Sequence, residues 1–260
     1  MASSHTAPQK SFPPGTAAAV RRSLQIYRRD RAREPRLDAW YAQFVSPGAL
    51  VFDVGAHAGD RTACFARLGA RVVAAEPQPA FARLLRFLHR ADAHVTIEPV
   101  AVGAREGTIA LNLNVDNPTV STVSPDFIAA ARGVRGWETQ TWARTIDVPV
   151  KTLDALIARH GQPSFVKLDV EGWEYEALRG LSRMPAVLSF EFTTIQKDVA
   201  LACLRRLASL GATRFRSSLG ESLAFDEHQQ GSLDLDGMAN WLDALPLAAN
   251  SGDVYAYAEG

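Results

Sequence analysis

The chain has 260 residues, 47% of them apolar, enough to bury a large core, and its size favours a single α/β domain with additions. Lys+Arg and Asp+Glu both number 28, so the formal charge is zero, which argues against a general polyanion binder. Cys64 and Cys203 lack metal-ligand spacing, Met1 to Gly15 lacks the apolar stretch of a secretory signal, and no apolar run is long enough for a membrane span. The expectation is a reduced, cytoplasmic protein.

In chain order, residues 1–14 are polar and Pro-rich and read as a disordered tail. Residues 15–46 read as an N-terminal helical extension. It holds a helix from about Ala17 to Arg33 and a shorter one near Leu37 to Phe44. Arg21, Arg22, Arg28, Arg29, Arg31 and Arg33 give the first helix a basic face, which suits solvent or an acidic partner. Pro47-Gly48 opens the main domain, 47–260. Residues 50–54 read as a strand, 59–69 as its helix closed by Gly69, 71–75 as a second strand, and 79–90 as a second helix. Residues 94–102 hold a third strand, and 107–114 alternate like a strand that pairs with a later one. Residues 115–147 are irregular, as in a lid, a binding segment or a disordered loop. The pattern resumes at 148–150, and Thr152 is placed to cap a helix over 153–160. Strands follow at 165–170, 186–192, 213–218 and 253–258, with helices at 175–181, 197–210 and 235–245. Strands alternating with helices give a doubly wound, mostly parallel sheet, and the last two strands could form an antiparallel edge.

The most telling run is Leu50-Val51-Phe52-Asp53-Val54-Gly55-Ala56-His57-Ala58-Gly59-Asp60, a buried strand that ends in acid and a glycine turn. The next strand ends on Glu76-Pro77, roughly 20 residues on, where an acid can take two ribose hydroxyls. A dinucleotide fingerprint wants glycine where Asp53 stands, and a carboxylate there repels a pyrophosphate. The same carboxylate suits the ammonium of S-adenosylmethionine, a ligand without phosphate.

These segments resemble the FkbM family of S-adenosylmethionine-dependent methyltransferases. Asp53 to Gly59 matches the first family motif, with His57 where the family usually has Asn. Ala75-Glu76-Pro77-Gln78-Pro79 matches the second. Val100 to Gly103, Val150 to Asp154, Val166 to Glu174 and Ser189 to Phe192 follow in family order. The resemblance spans roughly residues 48–195. It implies a class I methyltransferase, Rossmann-like fold with seven strands and one antiparallel strand near the edge. It also implies S-adenosyl-L-methionine as cofactor and O-methylation of hydroxyls on sugars, polyketides or similar metabolites.

Within that frame, Asp53 faces the amino-acid end of the cofactor, Gly55 allows close backbone approach, and Gly59 packs the turn against its helix. Glu76 takes the ribose hydroxyls. His57 and Pro77 complete the cofactor set with Ala101 and Val102, which can wall the adenine. Asp169 ends the strand beside the transferring methyl, so it belongs with the cofactor contacts, and Asp169 or Glu171 is the candidate base for a hydroxyl proton. Lys167 points to the same side as Asp169 and could pair with a carboxylate in the sheet. Glu191 could reach the substrate side of the cleft. Trp137, Trp142, Arg135 and Arg144 suit a lid or the packing of a long loop, and Trp173 reads as core. His5, His89, His94, His160 and His228 show no relay spacing and read as surface or capping residues. The motif set asks for no metal.

The expected partner is a small-molecule acceptor, and the two ends of the chain leave room for a homo-oligomer contact. Zero net charge and the lack of an aromatic platform disfavour nucleic acid. An RNA or protein methyltransferase and a non-catalytic scaffold of the same fold are the rival readings.

Overall fold

Short apolar strands joined by amphipathic helices can bury both faces only if helices cover the sheet on each side. The computed structural model describes residues 15–28, 32–226 and 231–258. The expected tail at 1–14, Arg29, Arg31, His5 and His228 lie outside the described residues, as does the side chain of Arg28.

Two helices, α1 (Thr16–Arg28) and α2 (Arg33–Tyr41), precede β1 (Leu50–Val54). Then come α3 (Asp60–Arg67), β2 (Arg71–Ala75), α4 (Pro79–Leu88), β3 (Val95–Glu98), β4 (Ala101–Val102) and β5 (Gly107–Leu113). The next elements are α5 (Pro125–Ala131), β6 (Arg144–Lys151), α6 (Leu153–His160), β7 (Phe165–Leu168), α7 (Glu174–Arg179) and β8 (Val187–Thr193). The chain closes with α8 (Lys197–Ser209), β9 (Ala212–Leu219), α9 (Leu235–Ala244) and β10 (Ser251–Ala258).

The main sheet has seven strands in the order β3-β2-β1-β7-β8-β10-β9. Strands β3, β2, β1, β7 and β8 are parallel, and β10 runs antiparallel to both β8 and β9. This is the class I methyltransferase arrangement that the family resemblance implies, with the reversed strand next to the edge. Strand order turns back on itself between β1 and β7, and a sheet of this kind leaves its crevice at that point, beyond the carboxyl ends of the strands. Register places Asp53 beside Lys167, and Lys167 beside Ser189, so the polar ends of β1, β7 and β8 lie side by side.

Every residue of β1 and β7 is buried, as a central parallel strand requires. One face packs Phe52, Val166, Leu188 and Phe190 against Leu204, Leu207 and Met238. The other packs Val51, Phe65, Phe165 and Tyr255 against Leu37, Trp40 and Tyr41 of α2. Helix α2 is therefore built into the core, and Trp40 Nε1 donates to the Tyr255 hydroxyl at 3.0 Å.

Two sequence expectations need correction. Residues 94–102, read as holding a third strand, hold two. Pro99 cannot donate to a ladder, so Val95–Glu98 stays in the main sheet while Ala101–Val102 joins a second, three-stranded sheet, β4-β6-β5. The irregular stretch 115–147 also contains α5, capped by the Ser124 hydroxyl, which accepts from Phe127 N at 3.0 Å, and the first residues of β6. Other expected elements are present with ends shifted by a few residues. Thr152 caps α6, its hydroxyl accepting from Ala155 N at 3.0 Å. Gly107–Leu113 pairs with Arg144–Val150 as an antiparallel ribbon.

Candidate active site

A two-lobed cleft lies beyond the carboxyl ends of β1, β2, β7 and β8. The first lobe is mainly apolar, with walls from Ala75, Pro77, Ala101, Val102, Leu111 and Trp173. The second is mainly acidic, with Asp53, Asp60, Asp169, Glu171, Glu191 and Glu221 around Arg61 and Lys167, and Tyr27 at its side. Gly55, His57, Thr119, Asp169 and Glu171 border both lobes and mark their junction.

The first-motif turn shapes this junction. Gly55 has φ of +85°, and a Cβ built on it would fall on the carbonyl oxygen of Asp169. The backbone passing after β7 thus demands glycine here, in addition to any close approach of a ligand, since Gly55 also lines both lobes. Gly59, at φ of +78°, begins α3, and a Cβ there would collide with Leu85 of α4, which is the packing role expected.

His57 occupies the left-handed region with φ of +45°, a conformation Asn tolerates more readily than His. Its ring is held by contacts an amide could not make. It lies 4.2 Å from the Phe81 ring and 5.6 Å from the Tyr27 ring, and Nε2 is 3.2 Å from the Ser23 hydroxyl. Burial pushes its pKa down to about 4, so the imidazole is neutral near pH 7.

Glu76 clasps the loops. Its Oε2 accepts from His57 N at 2.8 Å and its Oε1 from Gln78 N at 2.7 Å. The residue is only 2% exposed and, unlike its neighbours Ala75, Pro77 and Gln78, does not itself line either lobe. Burial raises its pKa to about 7, partly offset by those donors. Each oxygen keeps acceptor capacity for a ligand hydroxyl. Asp53 is similarly buried, accepts from the Thr62 hydroxyl, and is raised by burial to about 6.

Lys167 organises the acidic lobe. Its ammonium lies 2.9 Å from Asp169 Oδ2 and 3.4 Å from Asp253 Oδ1. Burial pulls the Lys167 pKa down, but the two carboxylates outweigh it and hold the amine well above its ordinary range. Burial likewise pulls Asp169 up, and Lys167 outweighs it, so Asp169 stays ionised. One carboxylate oxygen from each of Asp169, Glu171 and Glu191 lies within 4.8 Å of the others. Burial and the neighbouring negative charge hold Glu171 and Glu191 well above the usual carboxylate range. Lys167 already gives this cluster its cation, and we assign no metal to it.

The loop carrying Glu171 is fixed from both sides. Glu171 has φ of +56°, and its carbonyl accepts from the Thr122 hydroxyl at 2.7 Å. Glu174 Oε1 accepts from Val170 N at 3.0 Å and Gly172 N at 3.3 Å, and burial raises the Glu174 pKa to about 7.

The predicted residues Asp53, Gly55, His57, Pro77, Ala101, Val102, Asp169 and Glu171 all line one lobe or both, and Glu191 joins them. Trp173 corrects the sequence reading, because it walls the apolar lobe as well as packing on the small sheet. Trp137 and Trp142 instead pack on Phe127, at 5.3 and 6.3 Å between rings, and Trp142 Nε1 donates to the Val120 carbonyl at 2.7 Å. Of the two roles left open for them, packing is the one observed. His160 is half-buried in the last turn of α6, its Nε2 lying 2.7 Å from Glu98 Oε1.

Sequence reasoning missed Tyr27, Arg61 and Glu221. Arg61 pairs with Asp60 and, at 2.7 Å, with Glu221, and Arg33 pairs with Glu221 at 2.8 Å. Arg61 adjoins the first motif and could have been flagged there. Nothing local marks Tyr27 or Glu221, which come from opposite ends of the chain.

Residues 53–211 match the model of the methyltransferase FkbM domain. No curated protein matches the sequence. Among solved structures, a TehB-like S-adenosylmethionine-dependent methyltransferase from Corynebacterium glutamicum aligns over 94% of this chain and 96% of that one, at 10% identity and a TM-score of 0.47. An O-methyltransferase from Bacillus cereus, in complex with S-adenosylhomocysteine, aligns over 97% and 94%, at 10% identity and a TM-score of 0.46. An S-adenosylmethionine-dependent O-methyltransferase from Thermotoga maritima aligns over 93% and 72%, at 13% identity and a TM-score of 0.43.

Proposed function

The chain belongs to the FkbM methyltransferase family, and we propose that it methylates a hydroxyl of a small molecule of sugar or polyketide type. S-adenosylmethionine is its cofactor. The cleft fits that ligand, because an apolar slot opens into an acidic lobe, and the cofactor is aromatic at one end and cationic at the other. When bound, it supplies an electrophilic methyl group on a sulfonium, and catalysis is largely a matter of aligning the acceptor oxygen with it.

In this reading Ala101, Val102 and Trp173 wall the adenine, and Glu76 with Pro77 holds the ribose. Asp53 takes the ammonium, directly or through water. Gly55, His57 and Gly59 hold the turn in shape around it. Asp169 and Glu171 stand where the acceptor hydroxyl must enter, and the observation that carries the proposal is their place at the junction of the two lobes. We further propose that 15–46 serve as an extension whose Ser23 and Tyr27 side the cleft, and that 47–260 form the catalytic domain. A cytoplasmic location suits the free, buried Cys64 and Cys203. Among the described residues no helix is long and apolar enough to cross a membrane.

Among the described residues, two arginines of the N-terminal helices are turned away from a nucleic-acid acceptor. Arg22 donates to the Val115 and Asp116 carbonyls, and Arg33 is paired with Asp60 and Glu221, so both are engaged within the fold.

Methyl-labelled cofactor, incubated with a panel of hydroxylated small molecules and separately with RNA and protein, tests the acceptor class. Label should enter the small-molecule fraction, and label found only in RNA or protein would refute the proposal. Asp169→Asn should lower turnover by about 100-fold, the usual scale of losing a positioned acid or base. Unchanged turnover would remove Asp169 from the chemistry.

A further inference from the structure

The charges around the acidic lobe do not balance by pairing. Lys167 of β7 is shared by Asp169 and by Asp253 of β10, which sits opposite Glu191 in register. Arg61 of α3 and Arg33 of α2 are taken by Asp60 and Glu221. Among the described residues, Glu171 and Glu191 therefore face the cleft with no ion-pair partner. The other groups turned toward them add little positive charge. They are Asp53 of β1, Glu174 of α7, the phenol of Tyr27 and the neutral imidazole of His57. Two unpaired carboxyl groups so close to a third cannot all stay ionised, and protons must fill the deficit.

A ligand with a sulfonium brings a further cation for Glu171 and Glu191, since Lys167 is committed to Asp169 and Asp253. Methyl transfer then removes that same charge. Resting on the methyltransferase reading above, we propose that Glu171 and Glu191 form the proton store of the reaction, releasing a proton as S-adenosylmethionine binds and taking one from the acceptor hydroxyl as the methyl group is transferred. Glu191, at the end of β8, is thus a further catalytic carboxylate.

The step balances. The acceptor oxygen forms a bond to the methyl carbon, the carbon–sulfur bond breaks with its electron pair left on sulfur, and the hydroxyl proton passes to the carboxylate. The site holds one positive and one negative charge before the step and neither after it. Product departure leaves the pair protonated and ready for the next cofactor. The natural acceptor is accordingly one that carries its own proton, a neutral hydroxyl. Burial of the two carboxyls and their mutual repulsion hold the stored proton in the meantime.

Calorimetry on the full chain tests this without any knowledge of the acceptor. S-adenosylmethionine and S-adenosylhomocysteine are each titrated near pH 7 in buffers of different ionisation enthalpy, so that the dependence of the binding heat on the buffer counts protons. The sulfonium ligand should release about one proton more than the thioether, and its affinity relative to the thioether should rise with pH, by up to about tenfold per unit. Glu191→Gln and Glu171→Gln should each shrink the difference, in proteins shown to be folded by their thermal melts. The wild-type comparison stands even if a variant fails to fold. Equal proton counts for the two ligands would overturn this inference and leave the methyltransferase reading intact. Binding of neither ligand would instead overturn that reading, and this inference with it.

Discussion

Replacing Lys167 with methionine should destabilise the protein by about 3–5 kcal/mol near neutral pH, the usual cost of breaking a buried pair by removing one partner. The Lys167 side chain is 3% exposed, and its ammonium is the shared partner of Asp169 and Asp253. Methionine keeps the length of the chain and removes the charge, so two carboxylates are left facing each other between β7 and β10. The pH dependence has a definite sign. The Lys167 pKa is raised, so its contribution is complete below the ordinary lysine value of about 10.4 and is lost only as pH rises through the folded value. The Asp169 pKa is lowered, so its contribution is complete above the ordinary aspartate value of about 3.9 and fades as pH falls through the folded value. The deficit of the variant is therefore largest near neutrality and shrinks in acid, as Asp169 and Asp253 take up protons. Urea denaturation of both proteins at about pH 7 and about pH 5 measures it. A deficit under about 1 kcal/mol, or one that grows on acidification, would contradict the account of this lobe.

Gly55→Ala should be nearly as damaging, by about 3 kcal/mol or more. Part of that is conformational, since a left-handed φ costs an alanine roughly 1–2 kcal/mol. The larger part is steric. The new methyl would fall on the Asp169 carbonyl, so the turn after β1 and the end of β7 would have to separate. Because Asp169 borders both lobes, whatever protein still folds should bind S-adenosylhomocysteine at least tenfold more weakly. Gly133 is the natural control. Its φ is +74° but no atom lies within 4 Å of an added Cβ, so Gly133→Ala should cost only the conformational part and leave binding unchanged. Equal stability losses at the two positions would show that close approach to Asp169 has no energetic weight.

What was legible in the sequence was local. Short, nearly continuous apolar runs located the strands of the main sheet, and an acid at or just past the end of four of them marked the cleft, because strand ends at a topological switch point face the ligand. Asp53, Glu76, Asp169 and Glu191 all come from that pattern. What could not be read depends on contacts distant in sequence. Tyr27 and Glu221 reach the same lobe from segments that carry none of the motifs. Helix α5 is 7 residues long, too short for a helical period to emerge. An aromatic residue after Gly172 reads alike as core or as cleft wall, and only the approach of the small sheet makes Trp173 both. The second constraint on Gly55 was not legible for the same reason, since the chain it must clear lies more than a hundred residues away.

The central claim is that this cleft holds an adenosyl cofactor with Glu76 at its ribose. Calorimetric titration with S-adenosylmethionine and S-adenosylhomocysteine, with NADH as control, tests it most directly in the wild type and in Glu76→Ala. The account predicts micromolar binding of the adenosyl pair, about −8 kcal/mol, weakened by roughly 100-fold in a Glu76→Ala protein that remains folded. Binding of NADH alone, or wild-type affinity in Glu76→Ala, would contradict it.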